Sequence, residues 1–226
     1  MPEIAFIMGK SASGKDKIFH RMVEDEELDL QTVVTYTTRP MRVGEMEGVE
    51  YHFVSDEEAM QMKADNRVVE MREYNTVHGL WRYFTADDGQ IKLHTQMKRE
   101  NASDAGGCEP EEITKSESTD GNGKYIVIGT LEAYEKFCEY YGKEHILPIY
   151  IEVDDGIRLS RALKREMKQE VPRYEEMCRR FLADAEDFKE DNLRKAGIVK
   201  RFTNNGELDD CIMQVRSEIL ANIVGI

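Results

Sequence analysis

The stretch IAFIMGKSASGKD, Ile4 to Asp16, decides how the rest of the chain is read. Five apolar residues ended by a glycine suit a strand buried on both faces in a parallel sheet. Gly9, Lys10, Ser11, Ala12, Ser13, Gly14 and Lys15 then have the spacing of a phosphate-binding loop: glycine, four residues, Gly-Lys. Glycines permit the tight path, backbone N–H groups face the anion, the lysine reaches the outer phosphates, and the following helix N-terminus adds partial positive charge. Ile18, Phe19 and Met22 supply the apolar face of that helix. The eighth position, ordinarily a Ser or Thr that holds Mg²⁺, is Asp16. A carboxylate is a good ligand for so hard an ion. An acid in the first turn of a helix is also favoured by the helix dipole alone, so the residue by itself leaves both readings open.

Downstream, Val33–Tyr36, Tyr51–Val54 and Val68–Tyr74 are short β-prone runs around a helix-like DEEAMQMKAD. They predict a small mixed subdomain over about 34–97. YIVI from Tyr125 and ILPIYIEV from Ile146 return to buried-strand character, each followed by a helical pattern. Alternating strand and helix predicts an α/β fold with a parallel-sheet core, built from about 1–33, 124–154 and 190–226. A charged helical segment over about 155–172 reads as a lid, and a Gly-, Ser- and acid-rich insertion over about 98–123 reads as a flexible surface segment. No internal repeat is visible.

Composition narrows the function classes. With 31 basic and 45 acidic residues among 226, net −14, the chain is a poor general nucleic-acid binder. Any anionic ligand needs a local basic cluster. Cys108, Cys138, Cys178 and Cys211 are scattered without metal-ligand spacing, which argues for reduced thiols. No apolar run approaches membrane-spanning length and the start is unlike a signal peptide, so the expectation is a cytoplasmic protein without a membrane partner. Oligomeric state is not legible.

A local basic cluster does exist. In TYTTRPMRVGEMEGVEYHFVS, Thr35 to Ser55, Arg39 and Arg42 stand three apart in a Gly- and Pro-containing loop. Two guanidinium forks can hold a phosphate where a single lysine could not. Beside a phosphate loop they suggest a second phosphorylated substrate. Further on, Glu70 in RVVEMREY is a carboxylate able to accept from both N1–H and the exocyclic amino group of guanine, a donor pair that adenine lacks.

This segment resembles the guanylate kinases, whose nucleotide-binding stretch typically reads S-x-T-T-R-x-P-R-x-G-E-x-x-G-x-x-Y-x-F-V-S. Thr37, Thr38, Arg39, Arg42, Gly44, Glu45, Gly48, Tyr51, Phe53, Val54 and Ser55 stand in register, with the proline displaced to Pro40. The resemblance implies a P-loop kinase with ATP and Mg²⁺ as cofactors and GMP or dGMP as acceptor in purine nucleotide metabolism. It implies that Arg39, Arg42 and Tyr51 bind the GMP phosphate, that Thr35 lies near the base, and that Glu70 reads guanine. RLSRALKREMKQE resembles the family's lid helix, with Arg161 and Arg165 over the transferring phosphate. RYEEMCRRFLADAEDF resembles the next helix, with Arg179 or Arg180 as a catalytic arginine beside Lys15, and Asn204 falls near the adenine.

Two departures stand out. Where the family has Tyr-Gly-Ser/Thr after the guanine-reading acid, this chain has NTVHGLWRYFT, so that His78 and Gly79 stand nearest to the Tyr-Gly pair. The strand that in the family ends D-I-D reads IVIGT, with Gly129 and Thr130 in the acidic places. Set beside Asp16, that loss suggests the metal-binding carboxylate has moved to the loop. Phosphorylation of another nucleoside monophosphate or small phosphorylated acceptor stays open, as does an inactive module binding phosphopeptides through the same arginines. The intact Gly14 and Lys15 favour an ATP-using enzyme over the latter.

Overall fold

The computed structural model describes residues 1–42, 44–76, 79–93 and 123–225. Two sheets organise them. The first has five strands, β1 (Ile4–Met8), β2 (Gln31–Thr32), β7 (Tyr125–Gly129), β8 (Ile146–Glu152) and β9 (Phe202–Thr203), in the order β2-β7-β1-β8-β9. Every assigned pairing in it is parallel, with β1 at the centre between β7 and β8. All five residues of β1 are buried, as a strand covered on both faces requires.

Helices lie on both sides. On one face Ile18 and Met22 of α1 (Lys15–Val23) and Cys211, Val215 and Ile219 of α7 (Leu208–Ile219) meet Ala5, Ile7 and Ile149. On the other, Tyr134, Phe137 and Tyr141 of α3 (Leu131–Tyr141) and Leu193 of α6 (Glu190–Ala196) meet Ile4, Phe6 and Met8. Phe6 sits edge-on to Tyr134 and Phe137 at centroid separations of 5.7 and 5.1 Å.

The second sheet has four strands in the order β4-β3-β6-β5: β3 (Tyr36–Thr37), β4 (His52–Phe53), β5 (Val68–Thr76) and β6 (Gly79–Ala86). One face packs Tyr36, Phe84 and Ala86 on Ala59 of α2 (Asp56–Ala64). That helix is started by a capping box between Ser55 and Glu58. β5 sends Val69 into the large core and Met71 toward the small one, so a single strand joins the two sheets.

Differences from the sequence reading are local. Val33–Tyr36 is not one strand: Gln31–Thr32 extends the first sheet and Tyr36–Thr37 begins the second, because the chain crosses between them here. β6 was not foreseen, although LWRYFT has the aromatic and β-branched content of a strand. It pairs antiparallel with β5 from Thr76–Gly79 to Val68–Ala86, with a bulge at Val68/Glu70. The charged tail forms α4 (Asp155–Glu166) and α5 (Tyr174–Asp187). The expected insertion lies outside the described residues except for Gly123, and so does His78.

Candidate active site

The loop between β1 and α1 is fixed by its surroundings. A Cβ on Gly9 would stand 2.7 Å from the carbonyl oxygen of Ile151, so only glycine passes β8 this closely. Gly14 has φ 89°, and a Cβ there would lie 2.6 Å from Nδ2 of Asn204. Ala12 also takes a left-handed conformation, φ 62°. Asn204 was expected near a base. It lies instead beneath the loop, 2% exposed, and donates from Nδ2 to the Ser13 carbonyl at 2.7 Å. Its amide nitrogen braces the loop, while its buried Oδ1 has no hydrogen-bond partner among the described residues.

Lys15 and Asp16 begin α1. Their side chains stand 3.6 Å apart, the lysine 22% and the carboxylate 75% exposed. Asp16 is thus a solvent-facing acid beside the lysine, and Gly14, not Asp16, occupies the helix-capping place.

The lid arginines differ from expectation. Arg161 is half-buried and Arg165 exposed, whereas Arg158, not singled out from the sequence, is 1% exposed and lies against the loop. Its Nη1 donates to the Ser11 carbonyl at 3.0 Å and to Asp184 at 3.2 Å, while Nε and Nη2 donate to Asp155 at 3.1 and 2.9 Å. The Phe181 ring lies 4.4 Å from its guanidinium carbon. Asp184 Oδ2 in turn accepts from the Ser11 N–H at 2.8 Å. Both peptide groups of Ser11 are therefore held by α4 and α5, and Lys10 pairs with Asp155 at 3.4 Å. Arg179 and Arg180, 66% and 61% exposed, are both tied to Glu176 at 2.7 Å. Together they hold the Glu176 carboxyl down at about 2.

On the small sheet, Arg39 is 3% exposed and grips Glu45 with two parallel bonds, 2.8 and 2.9 Å. Glu45 also accepts from the Arg42 backbone N–H at 2.7 Å, and these partners hold its carboxyl down at about 2. The rings of Tyr51 and Phe53 stand 5.3 and 5.5 Å from the Arg39 guanidinium. The Arg42 side chain is exposed, and Thr35 is half-buried at the entry to β3.

Glu70 and Arg72 share a strand face because they are two residues apart. Opposite them on β6 stand Thr85 and Tyr83. Glu70 is 6% exposed and accepts from Thr85 Oγ1 at 3.2 Å. Burial pushes its carboxyl above the ordinary range in spite of Arg72 and Thr85, and Glu132 adds like charge. The cavity beside it, about 520 Å³, is lined by Glu70, Arg72, Glu132, Lys136 and Tyr140 among others.

A sequence model described as guanylate kinase matches residues 2–98. Over these residues the chain is similar to guanylate kinases. It is 40% identical over 77 residues to the guanylate kinase of Mycoplasmoides gallisepticum and 45% identical over 76 residues to that of Corynebacterium diphtheriae. Each match covers 34% of this chain, and they span 40% and 38% of those relatives' own lengths. The crystal structure of guanylate kinase from Anaplasma phagocytophilum superposes with a TM-score of 0.52 over 98% of this chain and 87% of that one, at 16% identity. The fold is accordingly the P-loop kinase fold, with a parallel core, a small mixed sheet and a helical lid.

Within this guanylate kinase frame the departures acquire physical reasons. The family's Tyr-Gly-Ser/Thr was matched in sequence at His78 and Gly79, and His78 lies outside the described residues; on β6, Tyr83 meets Tyr51 at 5.7 Å and Thr85 meets Glu70, contacts the sequence reading did not include. The signal was the strand alternation of LWRYFT. At the end of β7, Gly129 leaves no room for a side chain, and Thr130 caps α3 by accepting from the Ala133 N–H at 3.2 Å. No helix among the described residues is long and apolar enough to cross a membrane.

Proposed function

We propose that the chain transfers the γ-phosphoryl group of ATP to GMP or dGMP in a Mg²⁺-dependent reaction. The observation that carries this is Glu70, a carboxylate nine-tenths buried beside Thr85 on the same small sheet as Arg39, Tyr51 and Tyr83. A desolvated acid facing a cavity favours a ligand that brings its own pair of N–H donors, which a guanine edge does.

The loop fits a nucleoside triphosphate, because its Ser11 N–H already donates to an anionic oxygen, that of Asp184. Lys15 and the loop amides hold the β- and γ-phosphates, and Arg39, Arg42 and Tyr51 hold the acceptor phosphate in line. Arg161 and Arg165 lie on the lid helix that Arg158 ties to the loop, from which they reach the transferring group on closure. Phosphoryl transfer needs such positioning and charge neutralisation more than a covalent nucleophile. Mg²⁺, when bound, would supply further neutralisation of phosphate charge, and the exposed Asp16 carboxylate is the residue that would hold it.

In this reading the core, acceptor-binding and lid parts take the boundaries read from the sequence. Release of ADP measured across GMP, dGMP, AMP, CMP and UMP tests the reading. Turnover confined to the guanine nucleotides supports it, and equal rates with all five would remove Glu70 from the role of base reader.

A further inference from the structure

The base-reading carboxylate is not waiting empty. Arg72 donates from Nε to Oε2 of Glu70 at 3.1 Å and from Nη2 to Oε1 at 3.3 Å. The glutamate side chain is 5% exposed and the arginine 29%. Two adjacent N–H groups on a planar guanidine unit, meeting both oxygens of one carboxylate, are the donor set that guanine presents through N1–H and its 2-amino group.

We propose that Arg72 is a substrate-mimicking plug of the base site, which guanine must displace from Glu70. This rests on the guanine reading above. A buried, ionised carboxylate left without a partner is costly, and the plug keeps Glu70 paired whenever no base is bound. The displaced guanidinium has somewhere to go. Glu132, at the start of α3, lines the same cavity of about 520 Å³ and acts electrostatically on Glu70. The arginine is short of full burial, so it moves without unpacking the core. A base that offers no donor pair leaves the plug in place and gains nothing from Glu70.

Competition and mere support predict different outcomes. If Arg72 only stabilised an ionised Glu70, its loss would weaken GMP use where Glu70 titrates and leave it level or weaker at alkaline pH, never stronger. As a plug, its loss strengthens GMP use wherever Glu70 is ionised. The test compares the wild-type enzyme with Arg72→Met and Arg72→Lys in ADP-release assays against GMP and AMP, at about pH 8.5, well above the ordinary carboxylate range.

The expected result is a KM for GMP about threefold to tenfold lower in Arg72→Met, the scale of one partly exposed charged contact, with the KM for AMP unchanged. Arg72→Lys, which keeps the charge but loses the fork, falls between and guards against a folding failure of the first variant. The acid limb of the Arg72→Met profile moves to higher pH, because Glu70 loses its cationic neighbour and keeps Glu132. A KM for GMP that rises or stays level in both variants at alkaline pH overturns the plug and leaves the guanine reading intact. Wild-type enzyme that turns over no guanine nucleotide overturns both.

Discussion

A Cβ placed on Gly129 would stand 2.6 Å from Cζ of Phe6, closer than two carbons can approach. Phe6 is fully buried in the centre of the sheet, so the end of β7 is closed to an acidic side chain by packing. Gly129→Asp should destabilise the chain by about 1–3 kcal/mol as an overpacking substitution. Combining it with Phe6→Leu should cost less than the sum of the two single changes, because the smaller side chain makes room. Urea unfolding of the four proteins in this cycle checks it, and strict additivity would separate the two sites.

With β7 closed, Asp16 is the exposed acid beside Lys15 at the start of α1. Asp16→Asn should weaken Mg²⁺-dependent turnover, raising the Mg²⁺ concentration needed for half-maximal rate by roughly tenfold or more. Nucleotide binding without metal should change little or improve, since a negative charge near the phosphates is removed. Mg²⁺ titrations that coincide for the two proteins would assign Asp16 to the helix dipole alone.

The grip of Arg158 on Ser11 makes the lid part of the loop. Arg158→Lys keeps the charge but cannot serve the Ser11 carbonyl, Asp155 and Asp184 together. The KM for ATP should rise by roughly tenfold, the scale of a lost charge-assisted bond, with the KM for GMP nearly constant. Equal effects on both substrates would mean a general loss of structure.

Titration separates the two glutamates of the small sheet. Glu70 is raised by burial, so its ionised form is the less stable one in the folded chain, and protonation favours the fold as pH falls through its raised value. Guanine use needs the ionised form, so kcat/KM for GMP should decline on the acid side at a pH above that of an ordinary glutamate, and Glu70→Gln should abolish the preference for guanine. Glu45 has the opposite sign. Its support of the Arg39 loop is full above an ordinary value of 4.5 and is lost as pH falls toward about 2. Activity against pH for wild type and Glu70→Gln, with circular dichroism over the acid range, checks both.

Strand β1, its glycine loop and the arginine-bearing segment were legible because local patterning dictates them: an apolar run, two glycines at fixed spacing, and a helix start. Glu70 was singled out for its chemistry, and the structure places it buried beside a cavity. Thr85 and Tyr83 were not legible, because their nearness to Glu70 and Tyr51 depends on strand pairing between β5 and β6. Arg158 was hidden among the arginines of a charged helix. Only the docking of α4 and α5 decides which of them turns inward, and Arg158 alone is 1% exposed.

Val69 and Glu70 are neighbours on one strand and both line the same cavity, and Val69, 6% exposed, also belongs to the large core. The small sheet is therefore riveted at its base-reading end. It cannot swing as a free flap without pulling an apolar side chain out of the large core. On the proposed reading, the guanine edge meets a sheet anchored in the large core, not a freely hinged flap.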